Sequence, residues 1–277
     1  MMHALDPAVH EPIFKTIVDL IPPPPPHPLG CHRRRVPDWV CFKAILMRLV
    51  SGMSWTSIEA FMPVRVSDTT LRARRDEWIR AGVFAEIFNQ AIAGYHKLIG
   101  FNLANIIIDG SDQLAPCGGE DAAPGFKTRG RVGWKWVIAV DDNGVPITFT
   151  TAAANRNDYP LMYTVLDQLA ELDLAHQIDT LHADRGFGYR QANDRVTAYG
   201  INRFNAPPRN DPHHGRAPLV GFGPRWIVES NNAWLCAYGQ LRRNTDRKTE
   251  HRRAALCLAI ALFISHRLQH PTLSPIR

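Results

Sequence analysis

The sequence predicts an α/β protein, in which a mixed-sheet domain follows an N-terminal all-α domain. Two observations predict this division. From Pro37 to about His96 apolar residues recur at intervals of three and four, which indicates amphipathic helices. From about Leu103 short apolar runs alternate with helical stretches and are separated by turn-forming residues. With 277 residues and a 45% apolar fraction, the chain can form one large domain and a smaller one.

Charge and cysteine content narrow the class of protein. The formal net charge of +6 and a pI of about 9.2 agree with a nucleic-acid partner without demonstrating one. The five cysteines are scattered, with none of the spacings of a structural zinc site, and are expected to be reduced thiols. No apolar run reaches membrane-spanning length and no export signal is recognisable, so we expect a cytoplasmic protein without a membrane partner.

Three segments are expected along the chain: an N-terminal arm with a proline-rich spacer (1–30), a helical DNA-binding domain (31–100) and a catalytic domain (101–277). The run Pro22 to Pro26 favours a stiff polyproline segment. We interpret it as a spacer or a packed arm, with a recognition role as the alternative.

The helical domain has a helix-turn-helix-like pattern. Its first helix ends at Gly52, a shorter one follows from Trp55 to Phe61, and Ser67 or Asp68 can cap a third, TTLRARRDEWIRAG. A short helix, a turn and a longer basic helix are typical of DNA-binding proteins of this class.

The third helix carries candidate DNA contacts in Arg72, Arg74 and Arg75. In a major groove these side chains could contact phosphates and bases. The alternative is a solvated face on an ordinary helical bundle.

The second half predicts an RNase H-like fold. Asp141-Asp142-Asn143-Gly144 forms the turn of a hairpin, which makes two strands antiparallel. In that fold the first strand is central and the fourth lies beside it. The expected elements, in order, are strands 104–109, 134–140 and 145–151, helix 158–172, strand 178–184, helix 189–199 and strand 201–205.

Three acidic residues occupy matching places on these elements. Asp109 and Asp184 end buried strands expected to be neighbours, and Glu229 opens a later helix. Carboxylates in this arrangement can hold two divalent cations between them. The irregular segment 206–224 is long enough to return the chain to the sheet. Its His213 and His214 could touch metal or phosphate, although a solvated loop is the alternative.

At these motifs the chain resembles bacterial insertion-sequence transposases with a DDE triad, in the IS5-type group of the IS4-like superfamily. The resemblance runs from about Arg33 to Leu268. IIIDGSD resembles the first-aspartate motif, HADRGFGY the second-aspartate motif, and RWIVESNNAWLCAYGQLRRNTDRK the glutamate helix. The basic strand and hairpin between the two aspartate motifs also resemble those of the family.

The resemblance implies a catalytic triad and its metals. Asp109, Asp184 and Glu229 would bind two Mg²⁺ ions, with Mn²⁺ as a possible substitute. The enzyme would cleave the ends of an insertion sequence in double-stranded DNA and join the freed 3′-OH to target DNA, as a homodimer that brings two ends together.

The sequence around the last acid departs from the family pattern. The superfamily often has Tyr, Arg, Glu and then a basic residue in this region, whereas this chain has Phe222, Arg225, Glu229 and Cys236. Where the related group commonly has Arg directly after the Glu, this chain has Ser230.

Further basic residues are candidate DNA contacts. With Trp134 and Trp136 close behind, the basic residues before the second strand could line a DNA channel or stack an extrahelical base. Arg225 could hold a phosphate or orient Glu229, or form a surface ion pair. We expect Asp112 to cap the turn after Asp109. The basic candidates in this half of the chain are Lys127, Arg129, Arg131, Arg225, Arg242 and Arg243.

Two other functions remain open. An RNase H-like nuclease could use the same triad without strand transfer, and a transposase-derived DNA-binding protein could lack catalysis altogether.

Overall fold

The computed structural model describes residues 2–23, 35–188, 191–206 and 225–270. Most of the proline run Pro22 to Pro26, the pair His213 and His214, and Phe222 lie outside these described residues. The chain forms two compact units. One contains the N-terminal helices and the C-terminal segment from Leu235, and the other runs from Tyr95 to Trp234.

The C-terminal segment therefore clusters with the helical unit, whereas the sequence analysis assigned it to the catalytic domain. Its last helix is apolar on nearly every side, so it needs a partner surface around most of its circumference. The first helix of the chain provides part of that surface. The Ser265 hydroxyl donates a hydrogen bond of 2.8 Å to the carbonyl of Val9.

The helical unit contains the three helices predicted before residue 81, and their capping agrees with the sequence. The Ser54 hydroxyl accepts the backbone N–H of Ser57, and Ser67 accepts that of Thr70. Gly52 ends its helix at φ 71°, and a Cβ there would lie 2.7 Å from the backbone of Gly239. The helices are α1 (Pro7–Val18), α2 (Asp38–Ser51), α3 (Trp55–Phe61), α4 (Asp68–Arg80) and α5 (Val83–Leu98), followed later by α9 (Gly239–Arg242) and α10 (Thr249–Gln269).

Two of the three arginines proposed on α4 are buried in ion pairs. Arg74 pairs with Asp38 and Glu77, and the side chain is 5% exposed. Arg75 pairs with Asp246 at 3.0 Å. Consecutive helix positions differ by about 100°, so both side chains can face the interior while Arg72 stays on the surface. Arg74 and Arg75 are therefore not on a DNA-facing surface in this structure.

The second unit has the strand order of an RNase H-like fold. The strands are β1 (Asn105–Leu114), β2 (Ala123–Pro124), β3 (Val132–Val140), β4 (Pro146–Ala153), β5 (Thr180–Ala183) and β6 (Arg203–Asn205), and the helices are α6 (Asp158–Glu171), α7 (Ala192–Thr197) and α8 (Arg225–Cys236). β1 pairs antiparallel with β3 and parallel with β5, β3 pairs with β4 in a hairpin, and β6 lies parallel to β5. This confirms the predicted central position of the first strand.

The first strand is longer than predicted. β1 continues past Asp109 to Leu114 because β3 remains paired with it as far as Gly133. Asp112 therefore lies within a strand, directly opposite Lys135, and forms an ion pair with it at 3.3 Å. The expectation that Asp112 caps a turn was wrong.

The tryptophans of β3 belong to the core. Trp134 is 1% exposed and Trp136 is fully buried, and their rings meet edge to face at 5.3 Å. The two residues share one face of the strand, so Lys135 points to the other. Neither ring is available to stack on a base.

The predicted hairpin turn is present and depends on Asp141. One carboxylate oxygen accepts the backbone N–H groups of Asn143 and Val145, and the other accepts that of Asn102. Burial raises the pKa of Asp141 to about 6. Because it accepts from Asn102 as well as from the hairpin, the carboxylate links the hairpin to the segment that precedes β1.

None of the helices in the described part of the chain is long and apolar enough to cross a membrane.

We expect Asp246→Asn to destabilise the helical unit by about 3–5 kcal/mol, because it leaves the buried guanidinium groups of Arg48 and Arg75 without their shared carboxylate. Burial acts to raise the pKa of Asp246, but Arg48 and Arg75, together with a hydrogen bond from Gln240 and the charge of His251, outweigh burial and lower it. A depressed carboxyl pKa stabilises the fold above the unfolded pKa, and this stabilisation is lost as the pH falls through the folded pKa. Urea denaturation at pH 7 and at acid pH measures both effects.

Glu250→Gln is the matched control, because Glu250 pairs with Lys248 at the surface of the same segment. It should change the free energy of unfolding by less than about 1 kcal/mol. Equal effects of the two substitutions would show that the buried ion pairs do not stabilise the unit.

Candidate active site

The two aspartates of the predicted triad follow the last paired residues of two neighbouring strands. Ile108 of β1 is directly opposite Ala183 of β5 in parallel register, so Asp109 and Asp184 come next at the same end of the pair. Burial raises the pKa of Asp109, whereas the Gly110 backbone, Lys127 and Arg225 act to lower it. The negative charge of Asp184 raises it further, as expected for two nearby carboxylates.

A buried amide holds Asp109 to helix α8. The indole N–H of Trp136 donates to Asn232 Oδ1 at 2.9 Å, and Asn232 Nδ2 donates to Asp109 Oδ2 at 3.0 Å. An indole can only donate, so the amide oxygen must face Trp136 and the NH₂ group must face the carboxylate. Asn232 thus orients Asp109 from the helix that carries Glu229.

The neighbouring Asn231 docks the same helix on the β3–β4 hairpin. Its Nδ2 donates to the carbonyl of Gly144 at 3.0 Å and to that of Ile227 at 3.1 Å. Asn231 is 4% exposed and Asn232 is 6% exposed. Two buried amides therefore fix the rotation and height of α8 over the sheet.

Arg225 lies between the other two acids of the triad. Its Nη1 is 3.4 Å from Asp184 Oδ1 and its Nη2 is 3.3 Å from Glu229 Oε1. Arg225 and Glu229 share a face of α8 because they are four residues apart. All three side chains are partly exposed, so this ion-paired group faces solvent.

The donor set suits a hard divalent cation, since all three acids offer carboxylate oxygens. A positive group already bridges Asp184 and Glu229 in the form of the Arg225 guanidinium. Within the described ranges, no three His, Cys, Asp or Glu side chains are gathered closely enough to hold one ion. The three acids fit Mg²⁺ in their chemistry, and a cation bound to Asp184 or Glu229 would compete with Arg225 for that carboxylate.

The basic residues before β3 differ in their surroundings. Lys127 Nζ lies 3.5 Å from Asp158, and Lys135 Nζ lies 2.7 Å from the other oxygen of the same carboxylate. Arg129 and Arg131 are exposed on the turn that precedes β3. Arg242 and Arg243, by contrast, are exposed residues of the helical unit.

The sequence analysis did not identify Asn231 and Asn232 as residues of the site. A helical wheel places Asn232 three residues after Glu229 on the same face, which is a usable signal.

Two family models match consecutive parts of the chain. A model described as a putative transposase of the IS4/5 family matches residues 9–88, and a model described as a transposase DDE domain matches residues 103–216. The second match includes Asp109 and Asp184 but ends before Glu229.

One similar protein and one similar solved structure are also described as a transposase and a transpososome, but their sequence identity with this chain is low. The chain is 29% identical over 145 residues to a putative transposase for insertion sequence element IS402 of Burkholderia cepacia. The match covers 50% of this chain and 66% of that protein, just under two thirds of its length. A crystal structure of a pre-cleavage Mos1 transpososome aligns at 11% identity over 88% of this chain and 81% of that one. The TM-score of 0.25 is too low to indicate a shared fold.

The helical unit and the sheet unit thus each match a transposase family model, and the sheet has the strand order that the resemblance implied. In both units the chain is therefore similar to DDE transposases of insertion sequences, in the IS4/5 group.

Proposed function

We propose that this chain cleaves DNA at the ends of an insertion sequence and joins the freed 3′-OH to target DNA, with Asp109, Asp184 and Glu229 as its catalytic carboxylates. One observation carries the proposal. Helix α8 bonds Asp109 through Asn232 and contacts Asp184 through Arg225, so the helix that bears Glu229 lies over both aspartates.

The three carboxylates would hold Mg²⁺, with Mn²⁺ as a substitute. When bound, the ions would activate the attacking water or 3′-OH and offset the negative charge on the leaving oxygen. Asn232 donates to Oδ2 of Asp109, so we assign Oδ1 as the oxygen that would bind a cation. The buried Asn231 and Trp136 hold that arrangement rigid from behind.

Arg225 has a second role in this proposal. Its guanidinium would bind a DNA phosphate when Asp184 and Glu229 serve as metal ligands, and its planar fork suits a phosphate. Its partly exposed position allows this exchange without rearranging the core.

Double-stranded DNA would contact exposed basic residues of each unit. Arg74 and Arg75 are left out of this set because they are buried in ion pairs. We also propose a homodimer, because two transposon ends must be brought together for one event. The proposed contacts are Arg72 on α4, Lys127, Arg129 and Arg131 before β3, Arg225 on α8, Arg242 at the end of α9 and Arg243 directly after it.

Glu229→Gln should reduce metal-dependent cleavage and joining by at least about 100-fold while DNA binding is retained. The substitution removes one anionic ligand and leaves the size of the side chain unchanged. The assay follows cleavage and strand joining of a duplex carrying the native flanks of the gene, in Mg²⁺ and in Mn²⁺.

Glu171→Gln is the matched control, since Glu171 is an exposed acid at the end of α6 in the same unit. Its activity should equal that of the wild type. Binding of the flanks by the wild type without cleavage would instead indicate an inactive transposase-derived DNA-binding protein. Cleavage without joining would indicate a nuclease that lacks strand transfer.

Arg225→Gln should tighten Mn²⁺ binding to the DNA-free protein by about 2- to 30-fold, because each of two partly exposed ion pairs that compete with the metal is worth about 0.2–1 kcal/mol. Electron paramagnetic resonance of free Mn²⁺ measures this affinity without any reaction. The same variant should bind DNA more weakly.

Arg225→Lys retains the charge and should leave Mn²⁺ affinity close to that of the wild type. Weaker Mn²⁺ binding in Arg225→Gln would contradict competition and show that the arginine instead holds the carboxylates in place.

A further inference from the structure

A row of polar side chains crosses the sheet unit just before the second aspartate. His182 of β5 is at its centre, and its Nε2 lies 2.8 Å from Oδ1 of Asn105 on β1. On the other side, Nδ1 of His182 lies 3.3 Å from Nδ2 of Asn205 on β6. Asn105 Nδ2 donates in turn to Oδ2 of Asp142, in the β3–β4 turn, at 3.0 Å. These four residues form one hydrogen-bonded chain, the His182 row.

The chemistry of the row fixes the direction of each hydrogen bond. An ionised carboxylate only accepts, so the NH₂ group of Asn105 faces Asp142 and its carbonyl oxygen faces His182. His182 Nε2 therefore carries the proton and donates to Asn105. In the neutral ring Nδ1 is left as an acceptor, which matches the NH₂ group of Asn205. The row thus has one arrangement, set from the carboxylate outward.

The row lies on the face of the sheet that carries the candidate site. Ile107 is directly opposite His182 in the parallel pairing of β1 and β5, so the two side chains share a face. Asp109 comes two residues after Ile107, and Asp184 comes two residues after His182. Because side chains alternate along a strand, His182 is the last residue of β5 on this face before Asp184.

Backbone pairing alone specifies the position of β5 along β1 only weakly. β5 has four residues and β6 has three, and a parallel ladder can form the same backbone bonds after a shift of two residues. Such a shift would move Asp184 by about 7 Å relative to Asp109 while each side chain kept its face. The buried Leu181 and Ala183 oppose a shift from the other face, and the directional bonds of the His182 row oppose it from this one.

The row also connects β5 to the turn that positions helix α8. Asp142 lies in the β3–β4 turn two residues before Gly144, whose carbonyl accepts from Asn231 of α8 at 3.0 Å. β5 is bonded to this turn through Asn105, and α8 is bonded to it through Asn231. The strand that leads to the second aspartate and the helix that carries the glutamate therefore share one support.

We propose that His182 is a positioning residue, which through the His182 row holds β5 in the register that places Asp184 at the same end of the strand pair as Asp109. The inference rests on the proposed DNA-cleaving function and adds a residue that acts on the site without touching metal or DNA. A displacement of about 1 Å at a reacting group can lower a rate by about 100-fold. Loss of the row should therefore reduce cleavage more than it reduces DNA binding.

His182→Phe retains the ring and removes both of its hydrogen bonds. At saturating DNA in Mg²⁺, the variant should cleave a duplex of the gene's native flanks about 10- to 100-fold more slowly, with DNA affinity unchanged. Electron paramagnetic resonance of the DNA-free protein should show Mn²⁺ binding at least about 3-fold weaker, at a temperature where circular dichroism shows the folded state. A residue that only stabilised the fold would lower the melting temperature and leave this Mn²⁺ affinity unchanged.

Three further variants separate the hydrogen bonds from general effects. His182→Gln can still donate to Asn105 through its amide and should recover part of the cleavage rate. Asn205→Ala removes one exposed partner of the row and should slow cleavage by a smaller factor, and it tests the row even if His182→Phe fails to fold. Asn202→Ala is the matched control, because Asn202 is an exposed asparagine just before β6 that donates to Asp179, outside the row. Its activity should equal that of the wild type.

Failure of the row and failure of the proposed function give different results. A wild type that cleaves DNA, while His182→Phe and Asn205→Ala keep its cleavage rate and Mn²⁺ affinity, would overturn the positioning role alone. The same holds if the two variants lose only thermal stability. A wild type that neither binds Mn²⁺ nor cleaves DNA would overturn the proposed function and the positioning role together.

Discussion

The amide of Asn232 is the interaction on which the site depends. It accepts from Trp136 of β3 and donates to Asp109 of β1, while its own helix carries Glu229. A buried amide with both ends satisfied has one orientation, and reversing it would place two donors and two acceptors face to face. The core therefore fixes the position of α8, and the position of α8 fixes where Glu229 and Arg225 lie over the aspartates.

Nearby positive and polar groups offset the repulsion between these acids. Arg225 pairs with both Asp184 and Glu229, and Asn232 donates to one oxygen of Asp109. Nearby, Lys135 satisfies Asp112 and Asp158 from the other face of β3. In the proposed function, a metal would replace Arg225 at Asp184 and Glu229, and a DNA phosphate would become the new partner of Arg225. The ion pairs of Lys135 with Asp112 and Asp158 would stay unchanged.

The sequence predicted the strand order, the hairpin at Asp141 and the three helices before residue 81, because period and turn residues are local properties. It could not predict that β1 continues beyond Asp109, since strand length depends on the pairing with β3. Burial of Arg74 and Arg75 depends on acids far along the chain, among them Asp246, and local pattern carries no information on such partners. The sequence also could not show that Trp134 and Trp136 are both buried, because strand periodicity does not say which face of a strand is the core.

The central claim is that Asp109, Asp184 and Glu229 form one cation site governed by helix α8. Anomalous diffraction at the manganese edge from crystals grown with Mn²⁺ tests it most directly. The account predicts manganese peaks bonded to Asp109 and Asp184, with Arg225 moved away from both of its carboxylates. Bound manganese elsewhere, with Arg225 still between Asp184 and Glu229, would contradict the account.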